Sequence, residues 1–269
     1  MHRAPAVADQ FYPGDPAILR TTVAELTPAK AASEKRPALA VISPHAGYVY
    51  SGAVAGETMG AVVVPKDVLI MGPNHHGHGA AVALMDDGYW DMPMGIVPIN
   101  RRLAALLLKH STLITADTLA HRYEHSLEVQ IPFLQYQQSE LTITPLVVSH
   151  LSFDGLRELG LAMAAAIREY DRPVLIVASS DMTHYESRAA ASRKDHLALD
   201  RILAMDPQGL YNTVMGQQIS MCGVMPATVA LVAALALGAA ETELVRYTDS
   251  GEASGDTQQV VGYAGLIIT

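Results

Sequence analysis

At 269 residues, with 50% hydrophobic and 17% charged, the chain has enough apolar material for a large core and is not expected to be disordered. The formal net charge of −9, with Lys and Arg scattered along the sequence, argues against a nucleic-acid or anionic-membrane partner. No run of about 18 apolar residues exists to span a bilayer, Met1-His2-Arg3-Ala4-Pro5 lacks the apolar core of a signal peptide, and a lone cysteine, Cys222, fits a reducing, cytoplasmic setting without any intrachain disulfide.

Residues 1–14 form a turn-rich entry segment that carries Phe11 and Tyr12. Asp15-Pro16 reads as an N-cap followed by proline at the first helical position, and the helix runs to about Leu26. Residues 27–37 are polar, contain Pro28 and Pro37, and form a loop. The uninterrupted apolar run 38–43 predicts a strand buried on both faces. Residues 51–62 are rich in small side chains and read as a close-packed helix, followed by a strand over 67–72. Residues 80–99 read as extended pieces broken by Asp86-Asp87-Gly88 and prolines, and hold Trp90, the only tryptophan.

Asn100 caps a helix to His110 with Leu103, Leu106 and Leu107 on one face. Leu127, Ile131 and Leu134 lie near helical spacing, which predicts a helix over 122–136 that Pro132 kinks or interrupts. A buried strand follows over 141–148, then a long amphipathic helix over 153–170 and a strand over 174–179. Residues 188–205 are helical, Asp206-Pro207 starts a shorter helix, and 226–237 is a buried apolar helix ended by Gly238. Strands over 243–248 and 260–269 close the chain. Alternating strands and helices, with no repeat and no shift in composition, predict one α/β domain over 1–269: a mostly parallel central sheet flanked by helices.

In such folds sites form at the carboxyl ends of the strands. Three of the buried strands are followed by histidine there: Pro44-His45-Ala46-Gly47-Tyr48, Pro73-Asn74-His75-His76-Gly77-His78 and Ser180-Asp181-Met182-Thr183-His184. If the strands are parallel neighbours, these histidines share one rim. Neutral imidazole is the commonest metal ligand, so His45 and His75 are expected to converge. Adjacent side chains diverge, so His75, His76 and His78 cannot all reach one ion, and His78 is assigned to the loop.

Asp181 and His184 are three apart, as an acid that orients a base would be, although Asp181 alone would serve as an N-cap. Glu124, His125 and Glu128 fall on the helix expected over 122–136, where a solvated face is the default reading and a wall of the site the sharper one. Cys222 stands four residues before Pro226, near a helix N-terminus, where the partial positive charge favours a thiolate. Read alone, it is equally a small buried hydrophobe.

Taken together these segments resemble the MEMO family. The likeness rests on Ala6-Val7-Ala8-Asp9-Gln10-Phe11-Tyr12-Pro13, Pro44-His45-Ala46-Gly47-Tyr48, Gly72-Pro73-Asn74-His75-His76, Glu124-His125-Ser126-Leu127-Glu128, Ser179-Ser180-Asp181-Met182-Thr183-His184 and Met221-Cys222-Gly223, in that order along nearly the whole chain. The resemblance implies a fold like that of class III extradiol dioxygenases, the LigB-like non-haem iron enzymes, with cysteine in place of their carboxylate ligand. It implies His45, His75 and Cys222 as metal ligands, Asp181 and His184 as acid/base groups beside the metal, and His125 lining the site. It further implies partners among AMMECR1-type and radical-SAM proteins, as in an AmmeMemoRadiSam system. One departure is Val224-Met225 after the Cys-Gly pair, where the family pattern has basic residues; this makes the expected pocket more apolar.

Two histidines, a thiolate and open positions suit Fe(II), Zn or Cu. The leading expectation is a mononuclear iron site for dioxygenase-like redox chemistry on an unknown small molecule, His184 moving a proton. The alternatives are a zinc hydrolase on the same ligands and a non-enzymatic scaffold that retains the pocket.

Overall fold

In the computed structural model, which describes residues 2–269 (the side chain of residue 32 apart), four strands run parallel at the centre of a nine-stranded sheet. Met1, where the expected domain begins, lies outside the described residues. In chain order the first elements are β1 (His2–Arg3), α1 (Pro16–Leu26), β2 (Ala40–Ser43), α2 (Tyr48–Gly60), β3 (Asp67–Pro73), β4 (Val82–Leu84), β5 (Tyr89–Met92), β6 (Gly95–Pro98), α3 (Arg101–His110) and β7 (Thr115–Ala116). They are followed by α4 (Ile131–Gln137), β8 (Thr142–Val148), α5 (Phe153–Tyr170), β9 (Val174–Ser179), β10 (His184–Glu186), α6 (Arg188–Leu203), α7 (Pro207–Gly216), α8 (Val224–Leu237), β11 (Thr242–Asp249), α9 (Gly251–Ser254) and β12 (Val260–Ile268).

The large sheet has the order β10-β12-β2-β9-β3-β8-β4-β7, with β11 also paired to β12. The pairs β2/β9, β9/β3 and β3/β8 are parallel, and β12 joins β2 antiparallel. A second, small sheet of order β1-β5-β6 ties the N-terminus to the segment that carries Trp90.

The central strands are buried on both faces because helices cover both. Ala40, Ile42, Leu69, Met71, Ile176 and Ala178 face α3, α5 and α8 in one core. Val41, Val68, Ile70, Leu175 and Val177 face α1, α2 and α4 in the other. Alternation within a continuous apolar run thus feeds two cores at once. Caps fall where the sequence places them at Asp15, Asn100 and Asp206, and Ser152 adds one before α5; each accepts backbone N–H groups of the helix that follows.

Two stretches depart from expectation. The helix after the first histidine turn starts at Tyr48 rather than at residue 51. Residues 122–127 are not helical, and only Ile131–Gln137 forms an α-helix there, with Pro132 in its first turn. The reason lies in Arg3. Its Nε donates to the His121 carbonyl at 2.6 Å and its Nη2 to the Glu124 carbonyl at 2.6 Å. Both bonds tie the segment to the N-terminus in its non-helical path.

Candidate metal centre

β9 runs between β2 and β3, with Ser43 opposite Ser179 and Met71 opposite Ala178. The turns after these three strands therefore meet on one rim. His45 is 2% exposed, and its backbone N–H donates to Asp181 Oδ1 at 2.7 Å. Its Nδ1 lies 2.8 Å from Ser179 Oγ. That hydroxyl is already committed, donating to the Ser126 carbonyl at 2.6 Å. The Gln130 amide nitrogen donates to it at 2.9 Å, an orientation fixed by the Pro44 carbonyl, which also takes a Gln130 N–H at 2.8 Å. With its one proton spent, Ser179 Oγ can only accept from His45. The His45 proton is on Nδ1, and Nε2 keeps its lone pair. Burial, and then the neighbouring His125 and His75 rings, hold its pKa well below the usual histidine value, so the ring is neutral.

His75 is held by Glu124 through two bonds. Its backbone N–H donates to Oε2 and its Nδ1–H to Oε1, both at 2.8 Å. Burial alone would raise the Glu124 pKa, but the bonds from His75 and from the Ser126 N–H bring it to about 2. An ionised carboxylate on Nδ1 leaves the Nε2 lone pair of His75 free, the arrangement that metal-binding histidines use.

His125 stacks on His75 with ring centroids 4.6 Å apart and meets His45 edge-on at 5.5 Å. Phe11 packs on its other side at 4.8 Å. Burial lowers its pKa to about 4, against the pull of Glu124. One potential ligand atom from each of His45, His75 and His125 lies within 4.8 Å of the others. This trio could hold a metal ion.

Cys222 adjoins the trio through His45, its Sγ 3.3 Å from Nε2. The thiol sits just before α8, as expected. The thiolate expected there is not favoured by the surrounding protein groups, because burial and then the Asp181 carboxylate push its pKa up. Desolvation outweighs the helix terminus. His125 thus stands in the close grouping with His45 and His75, and Cys222 is joined to it by its contact with His45.

Asp181 and His184 flank the site but not as the expected pair. The Asp181 carboxylate takes the backbone N–H of His45. Burial raises its pKa to about 6, against the His45 hydrogen bond. His184 is held by Ser220: its N–H donates to Oγ at 2.8 Å and its Nδ1 to the carbonyl at 2.9 Å. A carbonyl only accepts, so the His184 proton is on Nδ1 and Nε2 is free. Glu124 and Glu128, expected on one helical face, part company: Glu124 takes His75, and Glu128 takes Arg3 at 2.7 Å.

The residues that set the tautomers, Ser179, Gln130, Ser126 and Glu124, were not singled out for that role by the sequence. One signal was present. Ser179 ends a buried apolar run, and a buried hydroxyl must find partners. The donor set, two imidazoles with Nε2 free, a thiol beside them and oxygen acceptors on both Nδ1 atoms, fits a single bound metal ion.

The comparisons agree on kinship. The family model described as Memo-like protein matches residues 3–267. A MEMO1 family protein of Methanopyrus kandleri is 41% identical, over 99% of both chains. Another, of Methanothermobacter thermautotrophicus, is 40% identical over 99% of this chain and 100% of its own. An Aquifex aeolicus member is 38% identical over 98% of each. Among solved structures, an uncharacterized protein of Escherichia coli K12 superposes with a TM-score of 0.55 at 14% identity, over 84% of this chain and 98% of that one, which shows a shared fold. With the family model spanning nearly its whole length and relatives near 40% identity along all of it, this chain belongs to the Memo-like family.

Proposed function

We propose that the chain is a metal-dependent enzyme acting on a small molecule, with the metal held by His45 and His75 and completed by Cys222. The observation that carries this reading is the pair of fixed tautomers. Ser179 and Glu124 place the protons of His45 and His75 on Nδ1, so two Nε2 lone pairs face one space. Cys222 supports it by its 3.3 Å approach to His45 Nε2. A thiol of raised pKa gives up its proton when a metal takes the sulfur.

When bound, Fe(II) would supply oxygen-dependent redox chemistry of the kind the dioxygenase-like fold suggests, and Zn²⁺ would supply Lewis-acid polarisation. The protein's own groups supply proton handling. His125 is neutral at pH 7, its pKa lowered to about 4 by burial. His184 presents a free Nε2 at the rim. Asp181 fixes the backbone that carries His45 and acts through it.

A second reading follows from the close grouping of His45, His75 and His125. Three imidazoles are one of the ligand sets of zinc sites that activate a bound water. Metal analysis after anaerobic purification, on the wild type and on Cys222→Ser and His125→Ala, separates the two. Iron lost on Cys222→Ser and kept on His125→Ala supports the first reading. Zinc lost on His125→Ala supports the second. Full metal content in both variants overturns the assignment of a third ligand.

A further inference from the structure

Two of the motifs that carry the family likeness, the N-terminal run 6–13 and Glu128, take no part in holding the metal. They meet each other. Glu128 is fully buried, and its carboxylate accepts four bonds, all from the N-terminal segment: Arg3 Nη1 at 2.7 Å, the Ala6 N–H at 2.7 Å, the Val7 N–H at 3.0 Å and the Tyr12 hydroxyl at 2.5 Å. Arg3 is buried as well, its guanidinium 3.9 Å above the Trp90 ring. From there it reaches the carbonyls of His121 and Glu124. The same N-terminal segment then places Phe11 against the His125 ring, and its Phe11 carbonyl accepts the Tyr48 N–H at the start of α2.

We infer that Glu128 is a positioning residue for the metal centre. By stapling residues 3–12 to residues 121–128, it fixes the non-helical segment that delivers Glu124 to His75 and His125 to the trio. This rests on the proposed metal reading and adds the device that shapes it. The physical need is plain. Residues 121–127 have no helical ladder to hold them, and two of their carbonyls depend on Arg3. Arg3 in turn is charged, buried and stable only while Glu128 neutralises it. Removing the Glu128 charge therefore loosens the segment under Glu124 and His125, although Glu128 touches neither metal donor.

The test uses the full chain and begins without metal. Imidazole proton–nitrogen NMR reads each ring's tautomer and surroundings. In Glu128→Gln the signals of His125 and His75 are expected to shift and broaden, while those of His184 and His196, held by other elements, stay as in the wild type. Tyr12→Phe removes one of the four bonds to Glu128 while keeping its charge and is expected to move the same two histidine signals by less, which keeps the inference testable should Glu128→Gln fail to fold. Co(II) titration follows, with His75→Ala as the control that abolishes binding. Glu128→Gln is expected to weaken Co(II) binding about tenfold, as loss of outer-sphere support does, with a changed absorption spectrum. Unmoved histidine signals in both variants overturn the inference, whatever binds. A Glu128→Gln protein that only melts earlier, with wild-type histidine signals and Co(II) affinity, overturns it too. Failure of the wild type to bind Co(II) would refute the metal reading, and the NMR result would still decide the role of Glu128.

Discussion

The hydroxyl of Ser179 determines which nitrogen of His45 carries the proton. It lies 2.8 Å from Nδ1 and spends its own hydrogen on the Ser126 carbonyl 2.6 Å away. Ser179→Ala should release the ring to its other tautomer and weaken metal binding by about tenfold. It also leaves a Gln130 N–H and the Ser126 carbonyl without the hydroxyl between them, at a cost of about 1–3 kcal/mol. Calorimetric titration with Zn²⁺ and a urea melt measure the two effects separately. A metal affinity equal to wild type would show that the tautomer is set elsewhere.

Glu124 does the same for His75, with a full charge. Glu124→Gln keeps one acceptor oxygen and loses the carboxylate that makes the ring basic. Metal affinity is expected to drop by about 10- to 100-fold. Chelator competition gives the number, and the loss should exceed that of Ser179→Ala because the outer acceptor is ionised.

His121 predicts a pH dependence. Its Nε2–H donates to the Ala83 carbonyl at 3.0 Å, and burial, then the Arg3 guanidinium, bring its pKa to about 4. A folded pKa below the unfolded value near 6.5 means the unfolded chain binds more protons in between. The contribution is therefore full above about pH 6.5 and is lost as pH falls through that value toward 4. It amounts to something on the order of 3 kcal/mol. Urea midpoints at pH 7 and pH 4.5 should draw closer together in His121→Gln than in the wild type. An unchanged gap between the two midpoints would mean that His121 does not titrate this way.

Gly223 tests the join between β9 and Cys222. A Cβ there would run into the Ser179 carbonyl and the Ser180 side chain, and backbone cannot rotate away. Gly223→Ala is expected to destabilise the fold by about 1–3 kcal/mol. It should also push Cys222 off His45. Iodoacetamide would then alkylate the thiol faster than in the wild type, where it is half-buried against His45. Equal alkylation rates would show that the close approach does not seat the cysteine.

The sheet was legible because its central strands are uninterrupted apolar runs, and runs such as 67–72 and 174–179 admit few other readings. The rim position of His45 and His75 followed from those strand ends. The segment 122–127 was misread because Leu127, Ile131 and Leu134 repeat at helical spacing. What overrides that local pattern is a guanidinium 118 residues earlier in the chain, which no window around His121 contains. The hydrogen bonds of Asp181 and His184 run to other elements, to His45 for one and Ser220 for the other, which their spacing along the chain does not reveal. Cys222 was placed correctly beside a helix start, but its protonation depended on the Asp181 carboxylate, which only the folded chain brings near.

The strand order has a consequence for how the centre is made. β2 and β3 follow one another in the chain but are not neighbours in the sheet, because β9, formed a hundred residues later, lies between them. Until β9 is inserted, His45 has no Ser179 to fix its tautomer, and the two histidine turns have no spacer to hold them in register. Pairings of such long sequence separation are slow and come with the cooperative closure of the whole sheet. A metal ion held by all of these turns at once would bind only the finished fold. Its affinity would then add resistance to unfolding that grows with the logarithm of free metal concentration.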